Sequence, residues 1–124
     1  MHDTNILLIV CDTLRADHLG CYSYFRETSP NIDRIAREGV LFEDFYDAGC
    51  PTGPAFASLY TGLYPIHHRF YRFLAPNIRQ VDDMIFTIPE ILRVMGYTTA
   101  GFHNLLNMMD KPKHLVKGYQ FYIN

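Results

Sequence analysis

The chain has 124 residues, of which 48% are hydrophobic and 15% aromatic, enough to bury the core of one globular domain over residues 1–124. Its formal net charge of −2 and its scattered basic residues give no phosphate-binding stripe, so we expect no nucleic-acid partner. The longest apolar run, Ile6 to Cys11, is far shorter than the roughly 20 residues of a bilayer-spanning helix, so we expect no membrane span.

The first third of the chain predicts a strand, a loop, a helix and a second strand. Residues 5–11 form a continuous apolar run of strand length, typical of a parallel strand that is covered on both faces. Residues 13–28 have no clear period and predict a long loop with at most a short helical turn. Ser29 before a proline predicts a helix over 30–38, and imperfect alternation predicts an irregular strand over 40–46.

The remaining elements alternate in the same way. A helix that starts near Pro54 and ends at Gly62 is predicted, followed by a loop over 63–83. Capping-box spacing predicts a helix from Thr87 to Gly96, and two strands are expected over 97–102 and 119–123. This order predicts an incomplete α/β fold, with a mostly parallel sheet and helices on both faces.

Three cysteines are present, at positions 11, 21 and 50. Their number is odd and their spacing is not that of a metal-binding pair, which argues against a disulfide framework. We therefore expect a reducing, cytoplasmic setting.

Two polar residues fall where α/β proteins bind ligands, beyond the carboxyl ends of strands. Asp12 ends the first predicted strand, and its carboxylate could ligate a cation or serve as a loop hydrogen-bond acceptor; position alone weighs the two equally. Thr52 precedes the predicted helix, where the helix dipole favours an anion. A threonine there is more often a simple N-cap. Without the resemblance described below, these residues predict only an anion site and no catalytic role.

Several segments, including those that hold Asp12 and Thr52, also resemble the N-terminal part of sulfatase-like hydrolases of the alkaline phosphatase superfamily. Residues 5–22 resemble the opening strand and metal loop, and residues 28–42 continue the likeness through the first helix. Residues 52–65 are similar to the nucleophile loop, its helix and a threonine-glycine-leucine-tyrosine-proline exit. Residues 87–93 and 96–100 look like the next helix and strand, so the resemblance covers nearly the whole chain.

By this resemblance, Asp12 is a metal ligand, and Thr52 occupies the nucleophile position and is itself a metal ligand. Family sulfatases hold there a cysteine oxidised to formylglycine, within a cysteine-x-proline-x-arginine motif. The proline of that motif is Pro54, but the arginine position holds Phe56. Cys50 lacks both partners at the required spacing, so formylglycine conversion is not expected.

A threonine nucleophile resembles the phosphodiesterase, phosphonate-hydrolase-like and phosphoethanolamine-transferase branches, where a metal lowers the pKa of the hydroxyl. The resemblance therefore implies a sulfate, phosphate or phosphonate ester as the anionic substrate, and a divalent metal ion: calcium, manganese or zinc. The family's paired aspartates are reduced to Cys11 and Asp12, which leaves the identity of the metal open. The family's lysine–x–histidine cluster is also replaced, by the segment at 102–106.

Three further residues are candidates for contacts with the substrate. Arg15 could clamp an anionic ester, although an ion pair within its own loop is at least as common. His68 follows the tyrosine–proline exit, where a histidine is more often structural or solvated. His103 could replace the missing cluster, although an ordinary loop position is the simpler interpretation.

The family's remaining metal ligands come from strands well downstream of the matched segments. A cation held only by Asp12 and Thr52 has too few fixed ligands, so we expect the 124-residue chain alone to be inactive. The alternatives are a non-catalytic sulfatase-like module or a phosphoethanolamine-type transferase. We also expect Leu8, Ile9 and Phe102 to need cover, which predicts self-association or pairing with the missing part of the domain.

Overall fold

The computed structural model describes residues 4–71, 84–103 and 116–123. It divides into two compact units, one of residues 6–46 and the other of the remaining chain. Within the described residues, three-residue 3-10 turns and longer helices come first, and two short strands follow them. In chain order these are the 3-10 turns Ala16–His18 and Gly20–Tyr22, helices α1 (Pro30–Glu38), α2 (Thr52–Thr61), α3 (Pro65–His68) and α4 (Ile88–Val94), and strands β1 (Ala100–Phe102) and β2 (Phe121–Ile123).

The unit of residues 6–46 confirms the predicted helix and corrects the two predicted strands. Helix α1 covers 30–38, and two 3-10 turns lie in the predicted loop at 13–28. Residues 5–11 and 40–46 form no strand, because no described residue pairs with them in a ladder. The residues from Ile6 to Val10 are correspondingly exposed rather than buried.

Asp33 on α1 holds the second 3-10 turn in place. Its Oδ1 accepts hydrogen bonds from the backbone N–H of Cys21 at 2.8 Å and from the hydroxyl of Ser29 at 3.0 Å. The same hydroxyl oxygen accepts the N–H of Gly20 at 2.9 Å, and a side chain at Gly20 would collide with the Asp33 carboxyl. Burial raises the pKa of the Cys21 thiol, and all three cysteines are unpaired. The loop that follows Asp12 is thus fixed to α1.

In the other unit, α2 begins at Thr52, two residues earlier than predicted, and ends at Gly62 in the left-handed region. Its buried face packs around Ala57 and Phe70. The short helix α3 follows, inside the segment predicted to be a loop; residues 72–83 of that segment lie outside the described residues. None of the described helices is both long and apolar enough to cross a bilayer.

Strands β1 and β2 form a parallel two-stranded sheet in which Gly101 pairs with Tyr122. Both strands were predicted, each with longer bounds. Helix α4 starts with the predicted capping box: the N–H of Thr87 donates to Glu90 Oε2 at 2.9 Å. Helices with a parallel sheet confirm the predicted α/β class, incomplete as expected.

The expected exposure of apolar side chains is also seen. Leu8 is 54% exposed, Ile9 is 75% exposed and Phe102 is 72% exposed. These side chains are not covered by the described residues of their own units. The predicted self-association, or pairing with the missing part of the domain, remains to be tested.

Candidate functional site

Thr52 is the first residue of α2, and this position follows from its neighbours. Pro51 is the N-cap residue with an extended backbone, and Gly62 ends the helix ten residues later. Gly53 and Pro54, in the first turn, are buried, whereas Thr52 is half-buried. The first turn of a helix presents backbone N–H groups without intrahelical acceptors, and the helix dipole adds partial positive charge. The hydroxyl therefore lies where an anion is favoured.

The neighbour that rivals Thr52 as a nucleophile is Cys50. Its thiol is free and exposed, and it precedes the cis Cys50–Pro51 peptide bond. Cys50 lies outside the helix, whereas Thr52 is inside its first turn. The helix N-terminus therefore favours the threonine.

Asp12 lies in the other unit, at the end of the apolar run, and it is exposed. The next residue, Thr13, has a φ of 62°, a left-handed conformation that is rare for a β-branched residue. Such strained residues are frequent at functional sites. Because Asp12 and Thr52 belong to different units, their role as ligands of one metal ion remains a prediction.

Arg15 forms the ion pair that was weighed as the alternative to substrate binding. Its guanidinium donates two hydrogen bonds to the carboxylate of Asp17, at 2.6 and 2.9 Å. His18 Nδ1 lies 3.0 Å from the same carboxylate. The Arg15 guanidinium and then the His18 ring hold the pKa of the Asp17 carboxyl far below its ordinary value. All three side chains are exposed, and the pair uses only part of the hydrogen-bond donor capacity of the Arg15 guanidinium.

His68, predicted as a substrate contact, is only 1% exposed and is hydrogen-bonded at both ring nitrogens. Its Nδ1 accepts the backbone N–H of Phe70 at 3.1 Å, and its Nε2 lies 2.9 Å from Ser58 Oγ. Because Nδ1 is an acceptor, the neutral ring carries its proton on Nε2 and donates to Ser58. Burial lowers the pKa of His68. These contacts correspond to the structural alternative for this histidine.

His103 follows β1 and is half-buried beside β2. Its Nε2 is hydrogen-bonded to the hydroxyl of Tyr122, and its backbone N–H donates to Ile123 O at 3.1 Å. Tyr119 packs against Tyr122 with ring centroids 6.0 Å apart. Burial and a hydrogen bond with Tyr60 raise the pKa of Tyr119 far above its ordinary value. His103 thus joins an aromatic cluster next to the end of the sheet.

No complete metal site is seen among the described residues. Among them, no group of three histidine, cysteine, aspartate or glutamate side chains is arranged to hold a metal ion. Divalent calcium takes six to eight oxygen ligands, and catalytic zinc takes three protein ligands. Asp12 and Thr52 alone would supply too few ligands for such an ion.

Ser58 and Tyr122 are site neighbours that the sequence did not single out. Each pairs with a predicted histidine that lies ten or nineteen residues away along the chain. Ser58 falls on the buried face of α2, and a hydroxyl predicted on such a face does need a partner. The sequence therefore indicated that the Ser58 hydroxyl needs a hydrogen-bond partner, but it did not indicate which residue is that partner.

Comparison with known proteins gives one family. The sulfatase family model matches residues 4–124. The multifunctional alkaline phosphatase superfamily protein PehA of Trinickia caryophylli is 39% identical over 103 residues, which cover 77% of this chain and 19% of that protein. Human N-acetylgalactosamine-6-sulfatase is 36% identical over 104 residues, covering 77% of this chain and 20% of the enzyme.

A solved structure agrees with these sequence matches. The phosphonate monoester hydrolase of Agrobacterium radiobacter superposes with a TM-score of 0.69 at 27% identity, covering 90% of this chain and 24% of that one. The chain thus spans about a fifth of the length of the curated relatives it matches. Because the family model matches almost every residue, the chain belongs to the sulfatase family of the alkaline phosphatase superfamily.

Proposed function

We propose that the natural protein containing this chain hydrolyses sulfate, phosphate or phosphonate esters, with Thr52 as the nucleophile. The observation that carries this proposal is the position of Thr52 in the first turn of α2, where an anionic group is favoured. Similarity to a sulfatase and to a phosphonate monoester hydrolase supports an anionic ester as the substrate.

In the proposed reaction, Thr52 Oγ attacks the sulfur or phosphorus atom in line with the leaving oxygen. A bond forms between Oγ and that atom, and the bond to the leaving alkoxide or phenoxide breaks. The threonine hydroxyl loses one proton as it attacks, and the leaving oxygen takes up one proton to become an alcohol or a phenol. Water then hydrolyses the threonyl ester and restores the hydroxyl. Throughout, the non-bridging oxygens face the positive end of the α2 dipole.

We propose that the reaction depends on a divalent metal ion: calcium, manganese or zinc. Asp12 and Thr52 would be two of its ligands. Because the described residues do not complete a donor set, we assign no step of the reaction to the ion. For the same reason, we propose that the 124-residue chain alone is inactive. Equilibrium dialysis of the natural protein and of this chain against each metal would compare their affinities.

Arg15 and His103 remain proposed substrate contacts, and each already has a hydrogen-bond partner in the structure. Arg15 could leave Asp17, an exposed pair that costs little to break. His103 could leave the hydroxyl of Tyr122. His68 would have to leave two buried partners, Ser58 and the N–H of Phe70, so it is the least suited of the three to bind a substrate directly.

The test is turnover of 4-nitrophenyl sulfate, 4-nitrophenyl phosphate and a phenylphosphonate ester by the natural protein. We expect Thr52→Ala to lower kcat by about 10³-fold or more, since loss of a nucleophile removes the covalent route. Thr52→Ser keeps a hydroxyl and should retain more activity. Cys50→Ser is the matched control and should have no effect. Turnover that persists in Thr52→Ala would remove Thr52 from this role.

A mass-spectrometric search for the covalent Thr52 adduct separates a hydrolase from a transferase. In a hydrolase, the adduct decays to inorganic sulfate or phosphate in water. In a transferase, the group passes to an added alcohol in preference to water. The non-catalytic alternative predicts neither an adduct nor turnover across the ester panel.

We also propose that the exposed run Ile6 to Val10 is covered in the natural protein by further polypeptide of the same domain. The isolated 124-residue chain should then associate with itself. Sedimentation velocity at high protein concentration tests this directly. A well-folded, monodisperse monomer would contradict the proposal.

A further inference from the structure

The buried pair of His68 and Ser58 joins α3 to the helix that carries Thr52. His68 is 1% exposed and Ser58 is 7% exposed, and Nε2 and Oγ are 2.9 Å apart. A polar group that is removed from water destabilises the fold unless it is hydrogen-bonded, so each side chain depends on the other. The contact therefore fixes α3 against the middle of α2.

The other end of α3 contacts the loop that precedes Thr52. A Cβ atom built on Gly49 would lie 3.0 Å from Pro54 Cβ and 3.2 Å from Pro65 Cγ. The backbone at Gly49 is thus confined between the first turn of α2 and the first residue of α3. Since α3 has only four residues, His68 and Pro65 lie about one helical turn apart, and we expect a shift at His68 to displace Pro65 as well.

The second ring nitrogen of His68 extends the connection into the core. The N–H of Phe70 donates to Nδ1 at 3.1 Å, and the Phe70 side chain packs with Ala57 of α2 as the centre of the buried cluster. Loss of the imidazole would remove both hydrogen bonds at once. Apolar contacts such as that of Phe70 with Ala57 are non-directional and do not by themselves fix the position of α2 along α3.

We infer that His68 is a positioning residue for Thr52, acting through Ser58 on α2 and through Pro65 on the loop at Gly49. The inference rests on the proposed function of Thr52 as the nucleophile. A nucleophile must be held in a near-attack geometry, and a displacement of about 1 Å can lower the rate by about 10²-fold. His68 needs no contact with the substrate to have this effect.

Hydrogen exchange tests the positioning without reference to activity. The natural protein is compared with Ser58→Ala, His68→Ala and His68→Gln, and with His67→Gln as the matched control, because His67 is the exposed neighbour on α3. We expect amides in residues 49–61 to exchange about tenfold faster in Ser58→Ala and His68→Ala. His67→Gln should leave them unchanged, and α1 serves as the internal reference. Unchanged exchange in both alanine variants would overturn the inference.

Kinetics with the same ester panel then separate positioning from simple loss of fold. Rates are divided by the folded fraction, measured by circular dichroism, so that an unfolded population does not lower kcat. Positioning predicts that kcat of His68→Ala falls about 10-fold to 100-fold while KM changes less than twofold. His68→Gln keeps a donor near Ser58 and should recover part of kcat.

Each kinetic outcome bears on a different claim. A normal kcat per folded molecule in both His68→Ala and Ser58→Ala would overturn the positioning role. A rise in KM with an unchanged kcat would instead make His68 a substrate contact, and would also overturn it. If the natural protein turns over no ester, the proposed function fails, and the exchange experiment still decides whether His68 orders the segment around Thr52.

Discussion

Replacing Gly118 with alanine adds one methyl group where the structure has no room for it. Gly118 has a φ of +94°, and a Cβ built there would lie 2.5 Å from the backbone nitrogen of Glu90 and 2.9 Å from the carbonyl carbon of Pro89. Both atoms belong to the first turn of α4. The carbonyl of Gly118 also accepts the hydroxyl of Thr99 at 2.7 Å, so the chain cannot move aside without losing that bond.

The expected loss of stability has two parts. Left-handed backbone costs alanine about 1–2 kcal/mol, and overpacking against groups that cannot yield costs about 1–3 kcal/mol. Gly118→Ala should therefore lower the free energy of unfolding by about 2–5 kcal/mol. Gly96 distinguishes the backbone contribution from the overpacking contribution, because its φ is +92° and nothing lies within 4 Å of its Cβ position. Gly96→Ala should cost only about 1–2 kcal/mol.

Urea unfolding of the natural protein, followed by far-ultraviolet circular dichroism, measures both variants. The quantity of interest is the difference between Gly118→Ala and Gly96→Ala, which isolates the contact with α4. If the two variants have the same free energy of unfolding, the tight approach of Gly118 to α4 is wrong.

Three further predictions concern pH, a surface ion pair and a helix cap. Because the pKa of His68 is lower in the folded state, the neutral ring contributes its full stabilisation of the fold above the ordinary pKa of 6.5, and this contribution is lost as the pH falls below 6.5. The free energy of unfolding in urea should therefore decrease from pH 8 to pH 5, and it should decrease less in His68→Gln. Arg15→Ala should leave the free energy of unfolding almost unchanged, because the ion pair is exposed, but should raise the pKa of Asp17 in a carboxyl NMR titration; an unchanged pKa would contradict the ion pair. Thr87→Ala removes a fully buried hydroxyl that lies 3.1 Å from Lys117 O and from Glu90 Oε2, and should cost about 1–2 kcal/mol in urea unfolding; a neutral effect would refute the cap.

Helices α1, α2 and α4 were predictable because their signals are local, whereas α3 fell in a segment predicted to be a loop. A serine before Pro30 and a glycine at position 39 bound α1 correctly, and the capping box of Thr87 and Glu90 begins α4 as expected. Helical hydrogen bonds join residues four apart, so the necessary information is present within a dozen residues. The start of α2 was predicted two residues late, because Thr52 and Gly53 have no strong helix propensity of their own.

The strands were less predictable because each needs a partner that is remote in sequence. The apolar run over residues 5–11 has the composition of a buried strand, yet no described residue pairs with it. Residues 100–102 do find a partner, in 121–123. Composition can propose a strand, but only a neighbouring strand supplies its hydrogen bonds.

By itself, the amino-acid sequence determined the family, the α/β class and the place of Thr52 at the start of a helix, because motifs and helix boundaries are properties of short segments. Only the tertiary structure decided the surroundings of the histidines. In it, His68 is hydrogen-bonded to Ser58 and His103 to Tyr122, which are ten and nineteen residues apart in the sequence. A side chain's partners depend on which distant segments pack beside it, and that information is not contained in local sequence.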